Sequence, residues 1–516
     1  MKAQNKKLFF WTGDIKIKDY LTGFSKGGFY NGRRYWEFQK EDEFMSFLLK
    51  IKGSIFFHHL HFDAKTIANW LKKKEIKFTT PPIMSEGKVI EWKINDAILR
   101  DSSALMQSEL KELAKSFHLR KQEETLKGSI ITLHNILKSF YDFVGNNNFG
   151  KRTIASISLA KFKEVDNPSY DNIIDFSLLK DEENFVRKGF FSAFYHIFNH
   201  KIDEKEMGLV QKIDCNSFYG EMMRGNLFPY GNIKRITKNY KIEEELKKGK
   251  LGMIRATAFC DKKLPMGFLP YKTKQGIDYP LGKKFKSIWT TPEIEFARGL
   301  GYKIKFNKEA LFWEHKDYLF KKYINYLAKI KEKAEGAKRE IAKMLLVSFF
   351  GKFGQRRTQE VFIRVKKPII NKLYLDKEMT MTTESKYMRY PYSHTEISAF
   401  TTSYSRIFTW KFLENVGFQN VLAVIMDSVI LKGDLSPQLK KRWFDEKKVG
   451  KFKIVGNISQ AIFLGQGVYA LKLTDGTEII KNQGSPKEIS ELKTFADFEN
   501  ISKNTEKTRK KYGKNR

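Results

Sequence analysis

At 516 residues the chain is long enough for about three domains of ordinary size. Its 95 Lys and Arg against 59 Asp and Glu leave a net charge of +36, and 41% hydrophobic with 14% aromatic residues is too rich a mixture for a disordered basic tail. A folded chain so charged predicts a polyanionic partner, nucleic acid first, with aromatic rings available to stack on bases. The abundant Lys, Ile, Asn and Phe also fit an AT-rich genome, so charge alone leaves the partner open. Two cysteines, Cys215 and Cys260, exclude a disulfide framework, lack the spacing of a zinc cluster and predict a reducing compartment. No apolar run approaches the roughly 18 residues of a membrane span. Leu8-Phe9-Phe10-Trp11 is too short for a signal segment and reads as a first core strand.

From Leu8 to about Glu164 strands and helices alternate. Strands are predicted at Leu8 to Trp11 and Ser54 to Phe57, and helices at Ala64 to Lys73, Glu109 to Phe117 and Ile130 to Phe143, which together suggest an α/β layer on a mixed sheet. The loop through Gly145 and Gly150 and the break at Asp166-Asn167-Pro168 close this part, and a second unit starts near Tyr170. There, strand Leu209 to Asp214 precedes a turn and helix, a β-rich insert spans roughly 231 to 306, and a long basic helical region with breaks runs from about Lys316 to Gly351. Another insert of β character near 357 to 390, a helix from Thr395 to Glu414 and a hairpin from Val421 to Leu431 follow, the last with Met426-Asp427 between two apolar runs. Short strands and a basic tail end the chain.

Three constellations carry candidate chemistry. Lys212-Ile213-Asp214-Cys215-Asn216-Ser217-Phe218-Tyr219-Gly220 is a strand that ends in a carboxylate, whose desolvation a divalent cation would relieve; alone such a residue is more often a turn or cap residue. On the helix containing Arg339, Lys343 and Phe350, spacings of four and seven put two cations and a ring on one face, able to hold a polyphosphate and stack a base, or simply to be solvated. Ala423-Val424-Ile425-Met426-Asp427-Ser428 puts one carboxylate at the tip of an apolar hairpin. Asp214 and Asp427, both at strand ends, are placed to share two cations roughly 3.5–4 Å apart.

The ordered set resembles motifs A, B and C of the family B DNA polymerases, above all the protein-primed group of small phages, viruses and linear plasmids. Motif A of that family, Asp-x-x-Ser-Leu-Tyr-Pro, corresponds to Asp214 through Gly220, with Phe228-Pro229-Tyr230-Gly231 downstream. Motif B, Lys-x-x-x-Asn-Ser-x-Tyr-Gly, is matched by Lys343, Ser348 and Gly351, and of motif C, Tyr-x-Asp-Thr-Asp-Ser, Asp427-Ser428 remains. Phe56 through Asp63, Asp101-Ser102 and Leu113 through Phe117 resemble the group's exonuclease region, and Gly467-Val468-Tyr469 and Lys481-Asn482-Gln483-Gly484 its thumb approach. The resemblance thus spans almost the whole chain and implies an α/β and α+β multidomain fold. A ribonuclease-H-like exonuclease-type domain would cover 1–165, palm and fingers 166–450 with insertions near 231–306 and 357–390, and a small thumb with a basic tail 451–516.

For function the resemblance implies template-directed addition of dNMPs to a primer 3′ hydroxyl, with Asp214 and Asp427 binding two Mg²⁺ or Mn²⁺ ions. Lys343 and Lys331 would meet the phosphates of the dNTP, Tyr219 would lie under the deoxyribose and exclude a 2′ hydroxyl, and Phe350 and Ser217 would complete the nucleotide site. Ser428, Gly351, Lys352, Arg406, Tyr469 and Lys481 would contact DNA, Gly351 by allowing close approach to the templating base pair. Partners would be primer and template DNA and a terminal protein offering a hydroxyl as primer, in the host cytoplasm for a virus or an organelle for a linear plasmid.

The departures from the family pattern carry expectations of their own. Ile425 replaces the first Asp of motif C and Ala423 its Tyr, Val347 and Phe350 replace the Asn and Tyr of motif B, and Gly467 stands where a primer-gripping Lys is usual. In the exonuclease region the Asp-x-Glu falls on Asp14-Ile15-Lys16, the Asn-x-x-x-Asp on His59 through Asp63, and the Tyr-x-x-x-Asp on Thr125 through Ser129. With two of four carboxylates replaced by Lys16 and Ser129, Asp14, His59 and Asp63 form a vestigial site and the polymerase lacks proofreading. Two other readings stay open: a catalytically weakened DNA-binding relative in a replication or defence complex, and a nucleotidyltransferase that copies no template.

Overall fold

The computed structural model describes residues 8–17, 24–76, 80–85, 87–119, 125–176, 178–261, 263–274, 276–355, 357–360, 385–388, 394–482 and 491–512. It divides into two compact units, both discontinuous in sequence: residues 1–167 with 326–390, and 168–325 with 391–516.

The first unit is built on a seven-stranded sheet. Its strands are β1 (Trp11–Ile17), β2 (Phe24–Tyr30), β3 (Tyr35–Phe38), β4 (Gly53–Phe57), β5 (Ile83–Ser85), β6 (Lys88–Ile94) and β7 (Ala97–Asp101), in the order β3-β2-β1-β4-β7-β6-β5. The three central strands β1, β4 and β7 are parallel and the flanking pairs antiparallel, the mixed sheet that the alternation of strands and helices predicts. Helix Leu60–Lys73 supplies the crossover between β4 and the β6–β7 pair. Its Leu60, Ala64, Ile67, Ala68 and Leu71 recur at helical spacing and join one core with Ile55, Phe57, Trp92 and Leu99. Each leucine, isoleucine or phenylalanine among them, fully buried, is worth roughly 1.5–3 kcal/mol. At Gly27 in β2 an added Cβ would stand 2.6 Å from the Phe44 ring, so glycine is what lets this strand lie against helix Glu41–Leu48. Helix Gly336–Gly354 packs on helix Ile154–Val165, where the Ser158 hydroxyl donates to the Leu345 carbonyl at 2.9 Å and Phe162 meets Phe349 edge-on.

The second unit carries β8 (Tyr195–Ile197), β9 (Lys201–Asp203), β10 (Val210–Cys215), β11 (Phe228–Ile236), β12 (Gly252–Phe259), β13 (Tyr271–Lys272), β14 (Ile277–Asp278), β15 (Phe285–Thr290) and β16 (Lys303–Asp317). Next in the chain, β17 (Arg357–Glu360) and β18 (Ser385–Met388) pair antiparallel in the first unit; the rest of the insert expected near 357 to 390 lies outside the described residues. The second unit resumes with helix Thr395–Val416 and then β19 (Val421–Ile425), β20 (Ser428–Lys432), β21 (Phe452–Gly465), β22 (Val468–Leu473) and β23 (Glu478–Asn482). The main sheet runs β23-β22-β21-β10-β20-β19-β8, with β9 also on β21, so β10 lies in its middle. The insert after β10 forms a separate antiparallel sheet, β11-β16-β12-β15.

Two boundaries differ from the sequence expectation. The helical region predicted from Lys316 starts only at Lys321, because β16 runs on to Asp317, paired with β11 through its far end. The first strand begins at Trp11, where pairing with β4 and β2 begins, and not at Leu8. Among the described residues no helix is long and apolar enough to cross a membrane.

Candidate active site

The main sheet brings two distant carboxylates to one place. β10 is buried from Val210 to Ile213 and emerges at Asp214, which stands opposite Ser428 on β20 and Lys453 on β21. Beyond Asp214 the chain is fixed by backbone bonds. The Cys215 N–H donates to the Asp427 carbonyl at 2.8 Å, the Asn216 N–H to the Lys451 carbonyl at 2.8 Å, and the Asn216 side chain to the carbonyls of Asp445 and Glu446. Ser217 then takes a left-handed conformation, φ +50°, and starts helix Phe218–Gly225. Asp427 sits in the two-residue turn between β19 and β20, where Met426 is also left-handed, φ +56°, and its N–H donates to the Phe194 carbonyl at 2.7 Å. The turn is therefore anchored on both flanks, and the Cys215–Asp427 bond ties one carboxylate's strand to the other's turn.

The electrostatics agree with this proximity. Burial pushes the Asp427 carboxyl up, and the charge of Asp214 pushes it further, with Lys212 and Lys453 acting the other way. Tyr219, on the first turn of helix Phe218–Gly225, has its hydroxyl pushed up to about 12 by burial and by the charge of Asp427. Tyr469 on β22 is likewise raised to about 12, by burial first and then by Tyr195, Asp214 and Asp427, so it faces the same pair. Ser428 does not point outward: its hydroxyl donates to Asp214 Oδ1, which corrects the expectation that it contacts DNA. The residue that sequence reasoning missed is Lys212, quoted there without a role. Strand alternation puts it on the face of Asp214, and its buried ammonium bonds Asp214 Oδ1 and, at 3.2 Å, Ser428 Oγ.

Arg406 is also corrected. It is wholly buried, its guanidinium paired with the equally buried Glu293 and donating to the carbonyls of Phe191 and Ser192, so it has no surface to offer DNA. Lys481, by contrast, is exposed on β23 opposite Tyr469. A cavity of about 320 Å³ lined by Asp175, Tyr230, Trp313, His394 and Glu396 includes neither carboxylate of the pair in its lining.

The remaining candidates lie in the first unit. On helix Gly336–Gly354, Lys343 is exposed and pairs with Glu340 at 3.3 Å, Phe350 is half-buried, and the Arg339 guanidinium donates to the Lys331 carbonyl at 3.2 Å. Lys331 itself is buried. Lys352 turns inward to Ser156 and Gln355, and burial lowers its ammonium below the usual lysine range, so the structure does not present it to DNA. At Gly351 an added Cβ would meet nothing within 4 Å, so that side of the helix is open.

The exonuclease-type residues come from β1 (Asp14), the turn after β4 and the helix that follows it (His59, Asp63) and the end of β7 (Asp101). Asp63 accepts from the Ile15 N–H at 3.0 Å and is held well above the usual carboxylate range by burial and by the Asp14 charge. Asp14, also raised by burial, pairs with Lys16 at 3.4 Å. His59 is left-handed, φ +65°, and its N–H donates to Asp101, which also takes both donors of Ser103. Thr125 caps helix Leu126–Val144 through the Gly128 N–H at 3.1 Å, and Ser129 lies within that helix.

No group of three or more His, Cys, Asp and Glu that could hold a metal occurs among the described residues. Asp214 and Asp427 nevertheless suit a hard divalent ion, since both donors are carboxylates and their mutual repulsion, visible in the raised Asp427, is what such an ion relieves.

A family model described as DNA polymerase type B, organellar and viral, matches residues 123–416. The DNA polymerase of Bacillus phage phi29 is 24% identical over 519 residues, covering 88% of this chain and 84% of its own, and that of Streptococcus phage Cp-1 is 25% identical over 528 residues, covering 94% and 88%. Among solved structures, an orthorhombic crystal form of phi29 DNA polymerase superposes with a TM-score of 0.74 at 20% identity, over 95% of each chain. The same polymerase complexed with primer-template DNA and incoming nucleotide gives 0.72 at 20% identity, over 95% and 94%.

Proposed function

The chain belongs to the type B DNA polymerases of organelles and viruses, and from that premise we propose that Asp214 and Asp427 are the carboxylates at which it extends a primer. It is a template-directed DNA polymerase. The observation that carries the assignment of the site is the bond between the Cys215 N–H and the Asp427 carbonyl, which joins the strand end bearing one carboxylate to the turn bearing the other.

Divalent ions held by this pair, Mg²⁺ or Mn²⁺, would activate the primer hydroxyl and offset the triphosphate charge. The protein's own groups do the rest. The Ser428 hydroxyl fixes the orientation of Asp214, and the half-buried Tyr219 ring near Asp427 is assigned under the deoxyribose, where it would exclude a 2′ hydroxyl and select deoxynucleotides. Lys343, exposed on its helix, and Phe350 are assigned to the incoming nucleotide from their match to motif B, and Lys481 to the DNA backbone. Phi29 DNA polymerase has been solved with primer-template DNA and incoming nucleotide, and we assign the same ligands here. A terminal protein supplying the priming hydroxyl, and work in the cytoplasm of a bacterial host, extend the likeness to phage polymerases.

Proofreading is absent in this account. Lys16 places a cation on Asp14, and Lys16 and Ser129 stand where two of the four carboxylates would be needed, so too little negative charge remains for a pair of ions.

Primer extension on a short template with Mg²⁺ and four dNTPs tests the proposal. The parent should copy the template and add nothing without it. Asp214→Asn and Asp427→Asn should each lose more than the roughly 10–100-fold that loss of an outer-shell partner costs. Extension by either variant at the parental rate would refute the assignment.

A further inference from the structure

Lys212 is a charge in an apolar setting. Its own strand neighbour on that face, Val210, its cross-strand partner Ile430, and Ile425 and Tyr469 nearby all belong to one core cluster, and Lys212 is 6% exposed. Burying an ammonium there is costly unless it is paired. The pairing is with the catalytic carboxylate itself: Nζ meets Asp214 Oδ1 and Ser428 Oγ, and Ser428 Oγ meets the same Oδ1. Among the described residues Asp214 Oδ2 takes no hydrogen bond.

We propose that Lys212 is the resident counter-ion of the catalytic pair, a positioning residue that presets Asp214 and keeps the affinity of the empty site for divalent ions low until a nucleoside triphosphate brings negative charge of its own. The charge balance is the reason. Two carboxylates less one ammonium leave a single net negative charge, reduced further by Lys453 across from Asp214. Divalent ions entering that site alone meet a fixed like charge in a setting where water screens little. With the triphosphate present the sum becomes strongly negative. The Lys212–Ser428 tie meanwhile holds one oxygen of Asp214 and leaves the other to the ion.

The inference rests on the reading that Asp214 and Asp427 hold the ions, and binding of Mn²⁺ alone to the full-length, nucleotide-free protein separates the two. The measurement is the loss of the free-ion signal in electron paramagnetic resonance. Lys212→Met should tighten Mn²⁺ binding at least about tenfold. Lys212→Gln, which keeps a polar head, does the same if the methionine variant does not fold, while Lys212→Arg should stay close to the parent. A merely structural lysine would act with the opposite sign, since its loss would slacken the site and weaken binding. Unchanged or weaker binding in the neutral variants, with binding still abolished by Asp427→Asn, overturns the role of Lys212 and leaves the site standing. Mn²⁺ binding indifferent to Asp427→Asn overturns the site itself, and the proposal with it.

Discussion

Replacing Arg406 with methionine separates a core residue from a DNA contact. Arg406 and Glu293 are both 0% exposed. Two guanidinium nitrogens reach Glu293 Oε1 at 2.8 and 2.6 Å, and a third donates to the Phe191 and Ser192 carbonyls. Without the arginine, Glu293 keeps, among the described residues, only the Thr290 N–H and hydroxyl, at 3.3 and 3.1 Å, and its charge stays buried. Removing one partner of such a pair costs about 3–5 kcal/mol. In a unit of this size each kcal/mol moves the midpoint by about 2–4 °C, so thermal melts of Arg406→Met should fall by roughly 6–20 °C. Adding Glu293→Gln should return part of the loss by removing the stranded charge. Primer-template affinity of the folded variant, measured across salt concentrations, should keep the parental slope. A variant that melts with the parent yet binds DNA more weakly, with a salt slope smaller by about one, would refute the reasoning and restore Arg406 as a phosphate contact.

Asp63 should make stability depend on pH. Its folded pKa lies above the unfolded one, so its contribution is present in full below the ordinary carboxylate range and is lost as pH rises through the folded value. Asp63→Asn, which keeps an acceptor for the Ile15 N–H, should therefore raise the melting temperature at neutral pH and flatten its decline above mildly acidic pH; an unchanged profile would count against it. Gly450→Ala should cost about 1–3 kcal/mol in urea unfolding, since Gly450 has φ +80° and a Cβ there would stand 2.5 Å from the Glu221 carboxyl carbon; parental stability would contradict this. A labelled mismatched primer incubated with the parent and Mg²⁺ should stay untrimmed. Trimming that Asp14→Ala or Asp63→Ala abolishes would restore a working exonuclease.

The site was legible where chemistry and local pattern coincide. A carboxylate ending an apolar strand and another in a two-residue turn can be read from sequence, and the hairpin at Val421 to Leu431 formed as its two apolar runs predict. What failed was side-chain direction. Ser428 and Arg406 look like surface polar residues in sequence, yet one faces Asp214 and the other neutralises Glu293, a residue more than a hundred positions away. No local signal announces a partner that distant. Lys352 is hard to place for a similar reason: it falls on the buried side of a helix that is apolar on more than one face, so periodicity does not say which way it turns. β16 was misplaced although Lys303-Ile304-Lys305-Phe306 alternates visibly, because its exposed end, Glu314 to Asp317, reads equally as the start of a basic helix. Lys212 was legible in principle: at a spacing of two from Asp214 on a buried strand, its charge has few other partners.

The most direct measurement is anomalous diffraction from crystals of the protein with primer-template, a non-hydrolysable dNTP and Mn²⁺. Ions should lie within bonding distance of carboxylate oxygens of both Asp214 and Asp427, beside the primer end. Ions bound elsewhere, or an Asp427 that touches none, would contradict it.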